Sequence, residues 1–489
     1  MPRINNCAPL KIAETGTRFP KITKNSKRRT AFNFCEEELM KIVIVGVGKV
    51  GETLIGNLVR EKHDVVIVDN DYDIVNNEVN RYDVRGIVGG GLERNVLLDA
   101  GVDKADLLIA CTSRDEMNIL CCVLAKKIGV QHTVARVRDP QYFKEMENMR
   151  TDLGLDYAFN PELTTAQEIA QVLKFPSARS VESFAGGRAR MAEFEITANN
   201  PLVGKNLQQI SKEYGSKILI GVVQRNNKII IPHGDYVVES GDLIHIIADE
   251  QEIVAFCKKI KIFKRRAKSA FIVGGGKIVY YLAQELIHSG VSVKIVEKEE
   301  ARAEELSELL PQATVIIGNG TDQDVLEEEN LKRTDACITL TGMDEENVMI
   351  SLYAKQNKVD KIITKIDRPT ILKMVSMLGL GTVVSPRNVI ANHIVRFVRS
   401  YSAANGEGAD TLYKIGNKAE ALEFTVLSSF KGVDIPLKQL TLKKNVLVGG
   451  IVRDGEFILP SGDSTIKVGD RVIVVSEEKQ FTELSQILR

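Results

Sequence analysis

"KIVIVGVGKVGETLIGNL", residues 41–58, runs an apolar strand into three spaced glycines and then into a helix-forming stretch. In a dinucleotide-binding turn each glycine has a task. Gly46 makes the tight turn after the strand, Gly48 lets backbone approach a pyrophosphate, and Gly51 lets the helix pack on the sheet. The N–H groups at the helix start then face the phosphates. The second strand, "VVIVD", closes on Asp69, where a carboxylate accepts from ribose hydroxyls and repels a 2′-phosphate. This context favours a nucleotide and disfavours NADP. The bland alternative is a glycine turn that serves packing alone. It is no Walker A loop, because Glu52 stands where that motif needs Lys.

The chain is one plan written twice. A shift that carries Gly46 onto Gly274 lays residues 41–71 on "SAFIVGGGKIVYYLAQELIHSGVSVKIVEKE" (269–299). One residue further along, "ADLLIACTSRDEMNILCCVLAKKIG" (105–129) falls on "TDACITLTGMDEENVMISLYAKQNK" (334–358). "GLDYAFNPELTTAQEIA" (154–170) falls on "GLGTVVSPRNVIANHIV" (379–395), and "IIIPHGDYVVESGDLIHII" (229–247) on "FILPSGDSTIKVGDRVIVV" (457–475). Blocks that keep order and nearly constant spacing mark a tandem duplication.

Each half divides in two. Residues 40–160 and 267–386 alternate short, nearly continuous apolar strands with helical stretches at 50–61, 72–80 and 115–128 in the first copy. That pattern predicts an α/β, Rossmann-like, doubly wound parallel sheet buried on both faces. Linking helices are expected near 161–173 and 386–399. Residues 178–262 and 409–489 read as small α+β domains, each with a short helix, a hairpin and a final strand. "FPSARSVESFAGGRAR" (175–190) and "YSAANGEGADTLYKIGN" (401–417) read as loops between the parts, and "IKIFKRRAKS" (260–269) as a solvated basic linker. Residues 1–39 share no pattern with the rest and lack a secretory h-region. Met40 is read as the true start, with the leader disordered or untranslated.

Bulk composition narrows the function. Lys+Arg and Asp+Glu are equal at 65 each, which leaves no electrostatic footprint for nucleic acid. No apolar run is long enough to span a bilayer. The seven cysteines lack zinc-site spacing and lie mostly in apolar runs, which reads as buried reduced thiols in a cytosolic protein.

The second glycine turn is altered. "GGGKIV" keeps Gly274 and Gly276, but Val279 replaces the third glycine; Glu297 stands in the place of Asp69. After the fourth strand come Thr112 and Ser113, matched by Thr341 and Gly342. Strand C-termini line the crevice of a doubly wound sheet, so these positions are candidates for ligand contact. Asp115, Glu116 and Asn118 read as residues that cap and charge a helix start. Arg136, in "ARVRDP", and Lys365 can pair with a phosphate or hold a structural ion pair. None of the six histidines stands in a catalytic setting, and no nucleophile or metalloenzyme motif occurs, so no catalytic residue and no metal site is assigned.

The duplicated order, with "ADLLIACTSRDEMN", "ARVRDP", "NPLVGKNLQQI" and "PHGDYVVESGDLI", resembles the TrkA family over residues 40–489. Those proteins are cytosolic regulatory subunits of bacterial Trk potassium uptake systems, built from RCK (KTN) modules. The resemblance implies a protein that is not an enzyme. It implies NAD(H) or ATP/ADP on Gly46, Val47, Gly48, Lys49, Val50, Gly51, Asp69, Thr112, Ser113 and Arg136. In the second half it implies Gly274, Gly275, Gly276, Lys277, Ile278, Glu297 and Thr341. It further implies a homotetramer on the inner face of the cell membrane, bound to a potassium transporter subunit of the TrkH/TrkG type. Two other readings stay open: an NAD-dependent oxidoreductase, and an RCK-type regulator of another cation channel or antiporter. Cyclic di-AMP as a ligand is left undecided by the residues.

Overall fold

The structure, a computed structural model, describes residues 39–489 except 216, 227, 376–377, 403–408, 416–418 and 478–480. The leader reading, with Cys7 and Cys35, lies outside the described residues. The apolar runs of the first half become six parallel strands: β1 (Lys41–Val45), β2 (Asp64–Asp69), β3 (Arg85–Val88), β4 (Leu107–Ala110), β5 (His132–Arg136) and β6 (Tyr157–Phe159). Their spatial order is β3-β2-β1-β4-β5-β6, the doubly wound order with its switch point between β1 and β4. Alternation with period two, with a helix layer on each face, explains why consecutive residues in the middle of the central strands are apolar. Ile42 and Ile44 face helix Lys49–Arg60, whereas Val43 and Val45 face helix Asp115–Ile128.

The first small domain holds β7 (Ser180–Phe184), β8 (Ala189–Glu195), β9 (Leu219–Arg225), β10 (Lys228–Ile230) and β11 (Leu243–Ala248) in an antiparallel sheet ordered β10-β9-β11-β8-β7. Asn206 caps its short helix Leu207–Tyr214 with a reciprocal Gln209 bond. The second half repeats both sheets. β12 (Ser269–Val273), β13 (Ser292–Glu297), β14 (Thr314–Ile317), β15 (Ala336–Thr339), β16 (Lys361–Lys365) and β17 (Thr382–Val384) form the parallel one, ordered β14-β13-β12-β15-β16-β17. β18 (Thr411–Ile415), β19 (Ala419–Thr425), β20 (Val446–Arg453), β21 (Glu456–Ile458) and β22 (Arg471–Ser476) form the antiparallel one, ordered β18-β19-β22-β20-β21.

Two segments read as loops are strands instead. β7 and β18 pair antiparallel with β8 and β19. Their polar sequences suit edge strands, and Ala185–Gly187, all at positive φ, makes the reversal that closes the first pair. A helix not read from the sequence, Glu250–Lys259, covers the outer face of the first small sheet through Ile253 and Phe256.

The linking helices are exchanged between the halves. Helix Pro161–Lys174 leaves the first sheet and packs Ile169, Ala170 and Leu173 against Leu282 and Leu286 of the second. Helix Pro386–Ser402 returns the contact, with Ile390, Ile394 and Val398 against Leu54, Ile55 and Leu58. Polar contacts follow the exchange: Asn160 Nδ2 donates to Tyr281 Oη at 2.9 Å, and Arg399 lies 2.6 Å from Glu61. The small sheets meet face to face through Met191, Val222 and Ile247 on one side and Ala421, Ile473 and Val475 on the other. The halves therefore bury each other's apolar faces. Among the described residues, no helix is long and apolar enough to cross a membrane.

Candidate functional site

Each glycine turn sits at the switch point of its sheet. Gly46 has φ +94°, and a side chain there would meet Thr112 backbone at 2.6 Å. Gly274 has φ +108° and is hemmed in by Leu340 backbone at 2.8 Å. Both positions require glycine on conformation and on space. Gly48 and Gly276 then begin helices Lys49–Arg60 and Lys277–His288 with no side-chain cap, so backbone N–H groups of the first turn remain available to an anion.

At the third position the copies part. A Cβ on Gly51 would lie 2.2 Å from the Gly46 carbonyl oxygen. Val279 is nevertheless fully buried at the matching place. The second helix has a tighter first turn: Val279 N donates to Gly276 O at 3.0 Å, an i→i+3 bond, beside a longer α-helical bond of 3.3 Å from Tyr280 N to the same oxygen. In the first copy Glu52 N donates to Gly48 O at 2.9 Å, an ordinary α-helical bond.

The acids at the ends of β2 and β13 also differ. Asp69 accepts from Val47 N at 2.7 Å and from Asp71 N at 3.1 Å, so it ties the glycine turn to the second strand. Glu297 accepts from Glu299 N at 2.9 Å. Its longer side chain occupies the space over Gly275, where a Cβ would fall 2.6 Å from its carboxylate. Valine at 47 goes with the short acid, and glycine at 275 with the long one. Both carboxylates keep lone pairs for a ribose hydroxyl.

Thr112 and Arg136 are locked together. Arg136 donates to the Thr112 carbonyl, and the Thr112 hydroxyl donates to Asn118 Oδ1 at 2.7 Å. The Arg136 Nε is buried without a partner, and burial lowers the pKa of the guanidinium. Lys365 repeats the arrangement on Thr341 O at 3.0 Å. The cap reading of Asp115 and Asn118 is corrected. The helix has no side-chain N-cap. Asp115 accepts from Arg138 N and Asp139 N, both at 2.8 Å, and Asn118 bridges Thr112 and the Arg136 carbonyl. They pin the ends of β4 and β5, as Asp344 and Asn347 pin β15 and β16. Glu116 remains half exposed near Arg114. The described cysteines, at 111, 121, 122, 257 and 337, are free and buried; burial pushes the Cys111 thiol up to about 12.

Both turns open onto one cavity of about 1090 Å³ between the two parallel sheets. Of the residues expected at the site, Gly46, Gly48, Lys49, Val50, Asp69, Thr112, Ser113 and Arg136 line it in the first half. Gly274, Gly275, Gly276, Lys277, Ile278, Glu297 and Thr341 line it in the second. Val47 and Gly51 do not: Val47 is buried behind the turn and Gly51 packs beneath it. Sequence reading missed the loops after β3 and β14, Gly89–Gly91 and Gly318–Thr321, although the rule that strand C-termini line the crevice points to them. It also missed Ile74 and its counterpart Arg302, which donates to Gly275 O at 2.6 Å, and Arg138, Glu162, Asp367 and Arg387. Glu162 and Arg387 stand at the starts of the two exchanged linking helices.

A TrkA-N domain model matches residues 42–161 and 270–386, and a TrkA-C domain model matches 191–261 and 421–489. The chain is 34% identical over 459 residues to a "Trk system potassium uptake protein TrkA homolog 2" of Methanosarcina mazei, covering 92% of this chain and 100% of that one. It is 32% identical over 455 residues to the "Trk system potassium uptake protein TrkA" of Halomonas elongata, covering 92% and 99%. A solved structure described as "GsuK channel bound to NAD" superposes with a TM-score of 0.60 at 17% identity, covering 90% of this chain and 77% of that one, which is a likeness of fold. With the two domain models alternating along most of its length, the chain belongs to the TrkA family of Trk system potassium uptake proteins.

Proposed function

We propose that this chain is a regulatory subunit that binds NAD(H), or ATP and ADP, in its Rossmann clefts and uses the bound nucleotide to gate a membrane-embedded potassium transporter. The observation that carries the reading is the single cavity between the halves, onto which both glycine turns open. A ligand in such a cavity touches elements of both halves. It can shift their relative position wherever its affinity differs between two arrangements. Gly46, Gly48, Lys49 and Val50 would hold the pyrophosphate, and Asp69 the ribose; Gly274–Ile278 and Glu297 are the second set. Bound NAD(H) would act here as a signal. A homotetramer would bring eight Rossmann units into one ring on the cytoplasmic face of the membrane. That NAD accompanies a channel of this fold, and that relatives carry potassium uptake names, supports the reading. The same site would serve an RCK-type regulator of another cation channel.

The test is a thermal-shift panel of NAD+, NADH, NADP+, ATP and ADP on residues 40–489, followed by potassium flux in vesicles carrying the transporter subunit. A ligand that binds only the folded state raises apparent stability by mass action. Stabilisation by NADH or an adenine nucleotide, with nucleotide-dependent flux, is expected. If no nucleotide shifts the unfolding temperature, the switch reading fails.

A further inference from the structure

The repeat places Glu162 and Arg387 at the same point, the first turn of each linking helix, directly after Pro161 and Pro386. Because the helices are exchanged, each of these side chains is delivered toward the other half. Arg387 reaches the start of helix Lys49–Arg60. Its Nη1 lies 3.5 Å from Glu52 Oε2, a long contact for an ion pair, and the Glu52 carboxylate is already held by Arg81 at 2.5 Å. The Arg387 side chain is 15% exposed, its Nε is buried without a partner, and it lines the shared cavity. A guanidinium held this way keeps donors to spare beside a glycine turn whose N–H groups also await an anion.

Glu162 presents the opposite charge toward the second turn. It lies near Tyr281 of helix Lys277–His288 and pairs with Arg138 at 2.6 Å; its second oxygen is buried without a partner. The position after β5 is inverted to match, with Arg138 in the first copy and Asp367 in the second. The charges at these two positions are thus reversed between the repeats.

We propose that Arg387 is a phosphate ligand supplied to the first nucleotide cleft by the opposite half of the chain, and that Glu162 disfavours phosphate at the second. The proposal rests on the nucleotide reading above and deepens it: the ligand class is a nucleotide carrying a diphosphate or longer chain, and the first cleft is the one that reads it. The route outward is a helix. Pro386–Ser402 begins at Arg387 and is held at its far end by Arg399, which bonds Glu61 at 2.6 Å and Glu420 of β19 at 2.7 Å. A phosphate that draws on Arg387 therefore pulls on an element fixed to the second small sheet.

The experiment measures binding of AMP, ADP and NADH by titration calorimetry on the full chain, for wild type, Arg387→Gln, Arg387→Lys and Glu162→Gln, with the unliganded unfolding temperature of each. Arg387→Gln should weaken ADP and NADH roughly tenfold, the factor carried by one charge-assisted hydrogen bond, and AMP by less. Arg387→Lys should recover part of the loss, because a point charge still attracts phosphate without the fork. Glu162→Gln should strengthen binding at the weaker of two sites or add a second site. Wild type that binds with unchanged affinity in Arg387→Gln overturns this proposal and leaves the nucleotide reading standing. Wild type that binds none of the three overturns both. Equal losses for AMP and ADP, with a lowered unliganded unfolding temperature, would make Arg387 a structural residue and also overturn it.

Discussion

The two halves share strand order, turn and linking helix, yet their clefts are built to different standards. The first has Gly51 under the turn, a short acid that bonds the turn itself, an apolar Ile74 on the lining and an arginine arriving from across the chain. The second has Val279, a long acid that fills the space over Gly275, Arg302 on the turn carbonyl and a glutamate arriving from across. Duplication preserved the scaffold, whose strands bury each other, while the ligand-facing positions diverged in concert. A shared fold is therefore no evidence of a shared ligand. The difference at residue 51 and its counterpart shows how such divergence is absorbed, since one tightened turn accommodates a valine where the other copy has no space for a methyl group.

The largest asymmetry in stability lies in the linking helices. Arg399 is buried between Glu61 and Glu420, and Lys414 adds a third contact to Glu61 at 3.1 Å. Arg399→Met should cost about 3–5 kcal/mol in denaturant unfolding, because it strands the buried Glu420 carboxylate and leaves Glu61 with Lys414 alone. Burial alone would raise the Glu61 pKa, but the charges and hydrogen bonds of Arg399 and Lys414 outweigh it and hold the carboxyl below its usual range. Glu61 therefore contributes stability above the ordinary glutamate range and loses it as the pH falls through its lowered pKa.

Gly51→Val transfers the second copy's residue into the first. With the Gly46 carbonyl 2.2 Å from the new Cβ, it should destabilise by about 1–3 kcal/mol and weaken NADH more than tenfold, read by chemical unfolding and fluorescence titration. A variant that binds normally would show that the first turn can tighten as the second does.

Asp69→Ala and Glu297→Ala compare the two acids. Loss of Asp69 removes both the proposed ribose acceptor and the bond to Val47 N, so NADH affinity should fall about tenfold. Loss of Glu297 should change it less than threefold, the outcome expected if the first cleft dominates.

The linking helices also differ where they meet the small sheets. Glu168 and Glu182 in the first half stand at the repeat positions of His393 and Tyr413 in the second; strand pairing fixes the latter match, since Ser180 opposes Glu193 as Thr411 opposes Glu423. Burial pushes Glu168 up to about 7, and burial with the neighbouring Glu168 pushes Glu182 up to about 8. A raised folded-state pKa means that the native state holds protons the unfolded chain releases. The contribution of these two carboxyls to stability should therefore fall as pH rises from about 4.5 to about 8, and a series of thermal melts should show Glu182→Gln gaining on wild type across that window. Burial, with Arg396 alongside, depresses His393 from 6.5 to about 4, so between those values the imidazole is neutral in the fold and charged in the unfolded chain, and its contribution rises with pH against that of the glutamates.

Lys174 occupies the place of Arg399 in the first linking helix, but its 3.3 Å contact with Glu285 is partly solvated. Lys174→Met should change stability by about 1 kcal/mol or less. A cost matching that of Arg399→Met would mean that the two crossings are equivalent.

Much of this was legible in the sequence. The repeat, the parallel strands and the three-glycine turn are local patterns, and local patterns survive in a single chain. Asp69 was found because its distance from the turn is set by one helix and one strand. The β7 and β18 edge strands were not found, because polar, half-buried strands carry no apolar alternation. Arg387 and Glu162 were also out of reach, for they are brought to the opposite half across more than 100 residues of chain, through an exchange of helices that no periodicity encodes. Asp115 and Asn118 were misread for a related reason: their position at a helix start fits a cap, and only the fold brings the end of β5 within their reach.

The most direct test of unequal clefts is the stoichiometry of NADH binding, by calorimetry, to wild type, Asp69→Ala and Glu297→Ala. One tight site per chain is expected, weakened about tenfold in Asp69→Ala and kept in Glu297→Ala. Two sites of equal affinity, each removed by its own substitution, would contradict it.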